Sequence, residues 1–91
     1  MLEKVKMALG ISINSFDTEL LDLIEAAKLD LGIAGVELPE ELDAIASRAI
    51  VSYCVYHFEL EHGDGLKAER FKAAYDEQKA QLSMATGYTV W

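Results

Sequence analysis

The chain has little proline, little cysteine and little positive charge. Pro39 is its only proline, and its six glycines fall between apolar stretches. This is the punctuation of a helical protein, with neither a linker nor a low-complexity tract. Cys54 is the only cysteine, so no disulfide forms within the chain. A thiol inside an apolar run packs as a small hydrophobe and fits a reducing compartment. Lys and Arg number 8 against 16 Asp and Glu, for a net charge of −8. That balance disfavours non-specific binding to nucleic acid or to an anionic membrane. Lys67, Arg70 and Lys72 form a small basic group around Glu69 and read as a solvated helix face. Long apolar runs are missing too. The longest lies between Arg48 and Glu59, and at about ten residues it is too short to span a bilayer. The start, Met1-Leu2-Glu3-Lys4, holds an acid with no long apolar run behind it, so no signal peptide is expected.

What is present is apolar content. Hydrophobic residues make up 52% of 91 residues, which excludes disorder and points to one domain, 1–91. The segment Ala49-Ile50-Val51-Ser52-Tyr53-Cys54-Val55-Tyr56-His57-Phe58 carries only Ser52 and His57 as polar residues. A helix of that composition is apolar on every side and must be covered on every side. It is either the central post of a small bundle or partly buried by another subunit.

Periodicity predicts four helices. The first covers about 2–9 and stops at Gly10, with Glu3, Lys4 and Lys6 pointing away from the apolar face. The second starts at Asp17 as cap, with Phe16 stapled to Leu21, and stops at Gly35 with Val36 against Leu31. The third has Pro39 near its first position, with Glu40, Glu41 and Asp43 at its positive end, and finishes around 61–63. The fourth follows Asp64-Gly65 and ends by Gly87. The expected fold is all-α: a small bundle of about four helices with a central apolar helix and a short apolar C-terminal tail, Tyr88-Thr89-Val90-Trp91. The expected core is Leu20, Ile24, Leu31, Ile45, Ala49, Ile50, Tyr53, Phe71, Tyr75 and Leu82.

Catalytic chemistry finds little support. His57 and Glu61 are four apart and could share a metal, and Glu61 and His62 are neighbours. His57 and His62, five apart, diverge, so this is not the zinc-protease pattern. Acids and histidines before a glycine are commonly surface and capping residues, so no metal site and no cofactor are expected. Glu40-Glu41 and Asp76-Glu77 are adjacent on a helix and point about 100° apart, so neither shares a proton. His62-Gly63-Asp64-Gly65 lacks the lysine and the preceding strand of a phosphate loop. No enzyme is expected.

The order of signals is more informative. Leu2-Glu3-Lys4-Val5-Lys6 leads to Leu9-Gly10-Ile11. Phe16-Asp17 opens Leu20-Leu21-Asp22-Leu23-Ile24-Glu25-Ala26-Ala27. Ala34-Gly35-Val36 precedes the apolar helix with Ala49-Ile50 and Tyr53. Glu69-Arg70-Phe71 and Tyr75 then lead to Leu82-Ser83 and Gly87-Tyr88. Taken together, this resembles the small head-tail connector proteins of tailed bacteriophages and prophages, also called head completion or DNA-packaging adaptor proteins. Two departures stand out: the stretch from Tyr53 to Phe58 is more apolar than that pattern, and the stretch from Glu59 to Asp64 is more acidic.

The resemblance implies a fold of about four helices and a ring of copies beneath the portal protein at the capsid vertex. It implies DNA passing through the ring without sequence-specific binding, a tail or stopper protein on the far side, and no membrane partner. The place implied is the virion head-tail junction, after synthesis in the bacterial host cytoplasm. Tyr56, Phe58, Tyr88, Val90 and Trp91 are the expected assembly contacts. The competing reading is a small helical protein-binding or regulatory module, monomeric or dimeric. A third is a metal-dependent enzyme using His57, Glu61 and His62. An acyl carrier protein is excluded, because Thr18 follows Asp17 and no Asp-Ser-Leu occurs.

Overall fold

Glycine stops and aspartate starts divide the chain into its helices. The computed structural model describes residues 1–38 and 42–84. Helix α1 spans Leu2–Leu9, α2 Asp17–Ile33, α3 Ala44–His62 and α4 Gly65–Met84. There is no strand among the described residues, and the architecture is the expected all-α bundle.

The two glycine stops share one geometry. Gly10 has φ 71° and Gly35 has φ 86°, both left-handed. Beyond each, the chain turns back on the helix: Ile11 N–H donates to the Lys6 carbonyl at 2.9 Å, and Val36 N–H to the Leu31 carbonyl at 3.0 Å. A Cβ at such a φ is strained, so glycine is the residue that permits the turn. Val36 and Leu31 are both buried in the core, which adds the apolar half of the stop.

The starts differ more from expectation. Asp64 Oδ1 accepts from the N–H groups of Leu66 and Lys67, capping α4. Asp43 Oδ1 accepts from Ala46 N–H at 2.9 Å, so α3 opens at Ala44 rather than near Pro39. Pro39, Glu40 and Glu41 themselves lie outside the described residues. Asp17 is not the cap of α2: Phe16 holds that position, and no side chain caps it. The Asp17 carboxylate lies 2.9 Å from the Lys6 ammonium instead.

Lys6 is 6% exposed, contrary to its expected outward position. At about 100° per residue it lies about 40° from Leu2, on the apolar side of α1. Its ammonium also donates to Asn14 Oδ1 at 2.9 Å. A buried charge needs such partners.

Helix α3 is the post. Helices α1, α2 and α4 all pack on it, and Ala46, Ala49, Ile50, Cys54, Val55 and Phe58 are buried. Most of its apolar circumference is covered from within the chain. Val5 of α1, Leu20, Ile24, Ala27 and Leu31 of α2, and Tyr75 and Leu82 of α4 complete the cluster. The Tyr75 hydroxyl donates to the Asp30 carboxylate, which Lys79 also approaches at 3.4 Å, tying α4 to α2. Burial and that hydrogen bond push the Tyr75 hydroxyl pKa up.

Among the expected core residues, Leu20, Ile24, Leu31, Ala49, Ile50, Tyr75 and Leu82 are buried. Tyr53 is half-buried against the cluster, its ring 5.2 Å from Tyr75 and edge-on. Phe71 is only half-buried. Ile45 is a correction, at 50% exposed. It sits in the first turn of α3, beside the small Ala74 and the long polar side chains of Glu77, Gln78 and Gln81, which leave half of it open. The staple is also reassigned. Leu21 is half exposed, and Phe16 packs edge-on against Phe58 at 5.1 Å.

Burial pushes the Cys54 thiol up to about 12. The thiolate is the nucleophile, so alkylation at pH 8 should stall on the folded protein and run to completion in urea. Intact mass read over time checks this; rapid modification of the folded chain would place Cys54 near solvent.

Candidate assembly surface

The acidic end of α3 serves the turn into α4. Glu59 Oε2 accepts from Asp64 N–H at 3.0 Å, and Glu59 Oε1 lies 3.6 Å from the Lys67 ammonium. Glu61 and His62 meet not His57 but Glu19, at the start of α2. His62 Nε2 lies 2.8 and 3.0 Å from the two Glu19 oxygens. Ligand atoms of Glu19, Glu61 and His62 fall within 4.8 Å of one another. The His62 ring packs 4.6 Å from Phe58 and 5.3 Å from Phe16. The same pair that Glu19 and His62 would offer a cation already joins the ends of α2 and α3. His57 is elsewhere, its ring 4.3 Å from Tyr53 and 4.4 Å from Tyr56. Burial lowers its pKa, against the opposing pull of Asp30. The expected trio of His57, Glu61 and His62 is therefore not brought together.

Among the described residues, the core leaves open a groove beside α3. It has a volume of about 370 Å³, between Lys4 of α1, the first half of α3, and Phe71, Ala74 and Gln78 of α4. Val51 and Phe71 make its floor apolar, and both are half-buried. Lys4 and Arg48 are the charged residues along it, and neither pairs with an acid among the described residues. An adjoining hollow continues past Arg48 to Ile45, Glu77 and Gln81. A side chain entering here meets an apolar floor and a cationic rim.

Of the expected assembly contacts, Tyr56 is half-buried. Phe58 is a correction: at 7% exposed, it is enclosed by Phe16 and His62 and has no surface to present to a neighbour. Tyr88, Val90 and Trp91 lie outside the described residues. Sequence reasoning missed Arg48 and Val51 as groove residues. On the helical wheel, Arg48 lies about 160° from Ile50, a signal that marks it as facing away from the core.

No helix among the described residues is long and apolar enough to cross a membrane. No curated protein and no solved structure matches the chain. A family model described as phage connector protein matches residues 1–89. That match covers nearly the whole chain and every helix described above, and the chain belongs to the phage connector protein family.

Proposed function

We propose that this connector-family chain is a structural adaptor that forms a ring at the portal vertex of a tailed phage or prophage capsid. The ring joins head to tail and lets DNA pass during packaging and ejection, with no catalysis. Its partners are further copies of itself, the portal protein, and a tail or stopper protein, at the virion head-tail junction. The observation that carries this reading is the family match over residues 1–89. Composition supports it: with a net charge of −8, a wall built from this chain repels phosphate and lets DNA slide, whereas a basic wall would grip it. Tyr56 and the tail residues Tyr88, Val90 and Trp91 are proposed contacts to a neighbouring copy or to the portal.

Light scattering across concentration, alone and with the portal protein of the same genome, tests the reading. A large closed oligomer is expected, either spontaneous or portal-dependent, and weakened by deletion of Trp91. A monomer or dimer indifferent to the portal would overturn it. A second reading draws on the apolar groove: a small binding module, monomeric or dimeric, that accepts side chains of a partner helix or peptide there. It predicts the indifferent monomer or dimer.

A further inference from the structure

The outer face of α2 is another surface that the core leaves uncovered. Leu21, Leu29 and Ile33 are all exposed, Ile33 at 87%. On the helical wheel they spread over about 120°, with Leu29 between Leu21 and Ile33. Asp22 and Glu25 are exposed beside them. Glu25 lies 3.7 Å from Lys28, an exposed pair that holds weakly. The ridge is apolar with acids set into it: on the wheel, Glu25 falls between Leu21 and Leu29, and Asp22 between Leu29 and Ile33. The groove beside α3 is apolar with a rim of Lys4 and Arg48. In a chain where acids outnumber bases two to one, an apolar hollow edged by two bases is the complement of such a ridge.

The two surfaces lie on different sides of the molecule. The groove is lined by α1, α3 and α4, with nothing from α2. Helix α2 packs on α3 through Ile24 and Leu31, within the cluster that holds Ile50, and Arg48 lies about 160° round α3 from Ile50. A single copy therefore cannot place its own ridge in its own groove.

We infer that the groove beside α3 receives the α2 ridge of a second copy of this chain. Leu29 and its apolar neighbours sit over Val51 and Phe71, and Asp22 and Glu25 meet Lys4 and Arg48. The groove accommodates side chains of the ridge rather than a whole helix. The contact joins two unlike patches, so every copy offers both halves. Contacts of this type run head to tail and close into a ring when the rotation permits. This inference rests on the ring reading for its closure, and on the two surfaces for its residues.

Cysteine cross-linking of the full chain tests it, with Leu29→Cys on the ridge and Val51→Cys in the groove. Under mild oxidation, a mixture of the two variants is expected to give disulfide-linked dimers, while each variant alone stays uncross-linked. Arg48→Glu should weaken assembly at least about 10-fold in midpoint concentration, and Glu25→Arg on the same chain should restore much of it. Dimers from Val51→Cys alone would overturn the inference, because they mean groove against groove. So would a cross-link from Val51→Cys to the portal in place of Leu29→Cys. An assembled wild type with no cross-link from the mixture would overturn the interface and leave the ring standing. A wild type that remains monomeric with and without the portal would overturn both.

Discussion

Ile50→Ala is expected to lower folding stability by about 3 kcal/mol, within the range of about 2–5 kcal/mol for deleting a buried aliphatic side chain. Ile50 has no exposed surface and lies in the cluster shared by α1, α2, α3 and α4. Its neighbours belong to several helices, each anchored elsewhere, so they cannot close the cavity without moving a helix. The cost therefore includes the unfilled volume as well as the lost transfer of the side chain from water. Urea unfolding followed by helical circular dichroism measures it, with Ile50→Val as a milder control at about 1 kcal/mol. A loss below about 0.5 kcal/mol for the alanine variant would mean that Ile50 packs at a surface and that the role of α3 as post is wrong.

The second large effect is electrostatic. Lys6→Ala should destabilise by about 2 kcal/mol, less than the 3–5 kcal/mol typical of breaking a fully buried pair. Two features set that size. Asp17 Oδ1 is sealed from solvent, and its contact with Lys6 is an ion pair rather than a well-aligned hydrogen bond. Removing the ammonium leaves that oxygen without a counter-charge and Asn14 Oδ1 without its donor. Against this, the Asp17 side chain keeps 30% exposure and sits at the positive end of α2, which softens the loss. The double variant Lys6→Ala with Asp17→Ala should recover part of the loss, because no charge is then left buried. If the double variant is as unstable as the sum of the two single variants, the pair is not coupled and the cost of Lys6→Ala comes from lost packing.

Legibility followed the range of the interactions. The stops at Gly10 and Gly35 were readable because a left-handed turn is a property of a few adjacent residues. The start of α4 by Asp64-Gly65 was readable for the same reason, and the structure adds that Asp64 caps it. Asp17 misled: a cap is a local preference of about 1 kcal/mol, and Lys6, eleven residues away, drew its carboxylate off. Ile45 and Phe58 misled in opposite directions. Both are apolar residues on the same helix, and periodicity places their angles without telling which angles a neighbour covers. Phe58 found Phe16, and Ile45 found Ala74 and the polar side chains of Glu77, Gln78 and Gln81, which leave it half exposed. The pairing of His62 with Glu19 spans 43 positions, so spacing around His57 and Glu61 could not anticipate it.

By itself, the sequence determined an all-α chain of about four helices, most of its punctuation, its acidic character, and its place among the phage connector proteins. Each of these rests on residues close in the chain or on composition. The tertiary structure decided what packing alone can decide. It enclosed Lys6 and Phe58, left Ile45 open, and kept a basic apolar groove on one side of α3 and an acidic apolar ridge on α2. Helical periodicity sets the direction of a side chain, and only the arrangement of three helices around a fourth sets whether that direction meets protein or water.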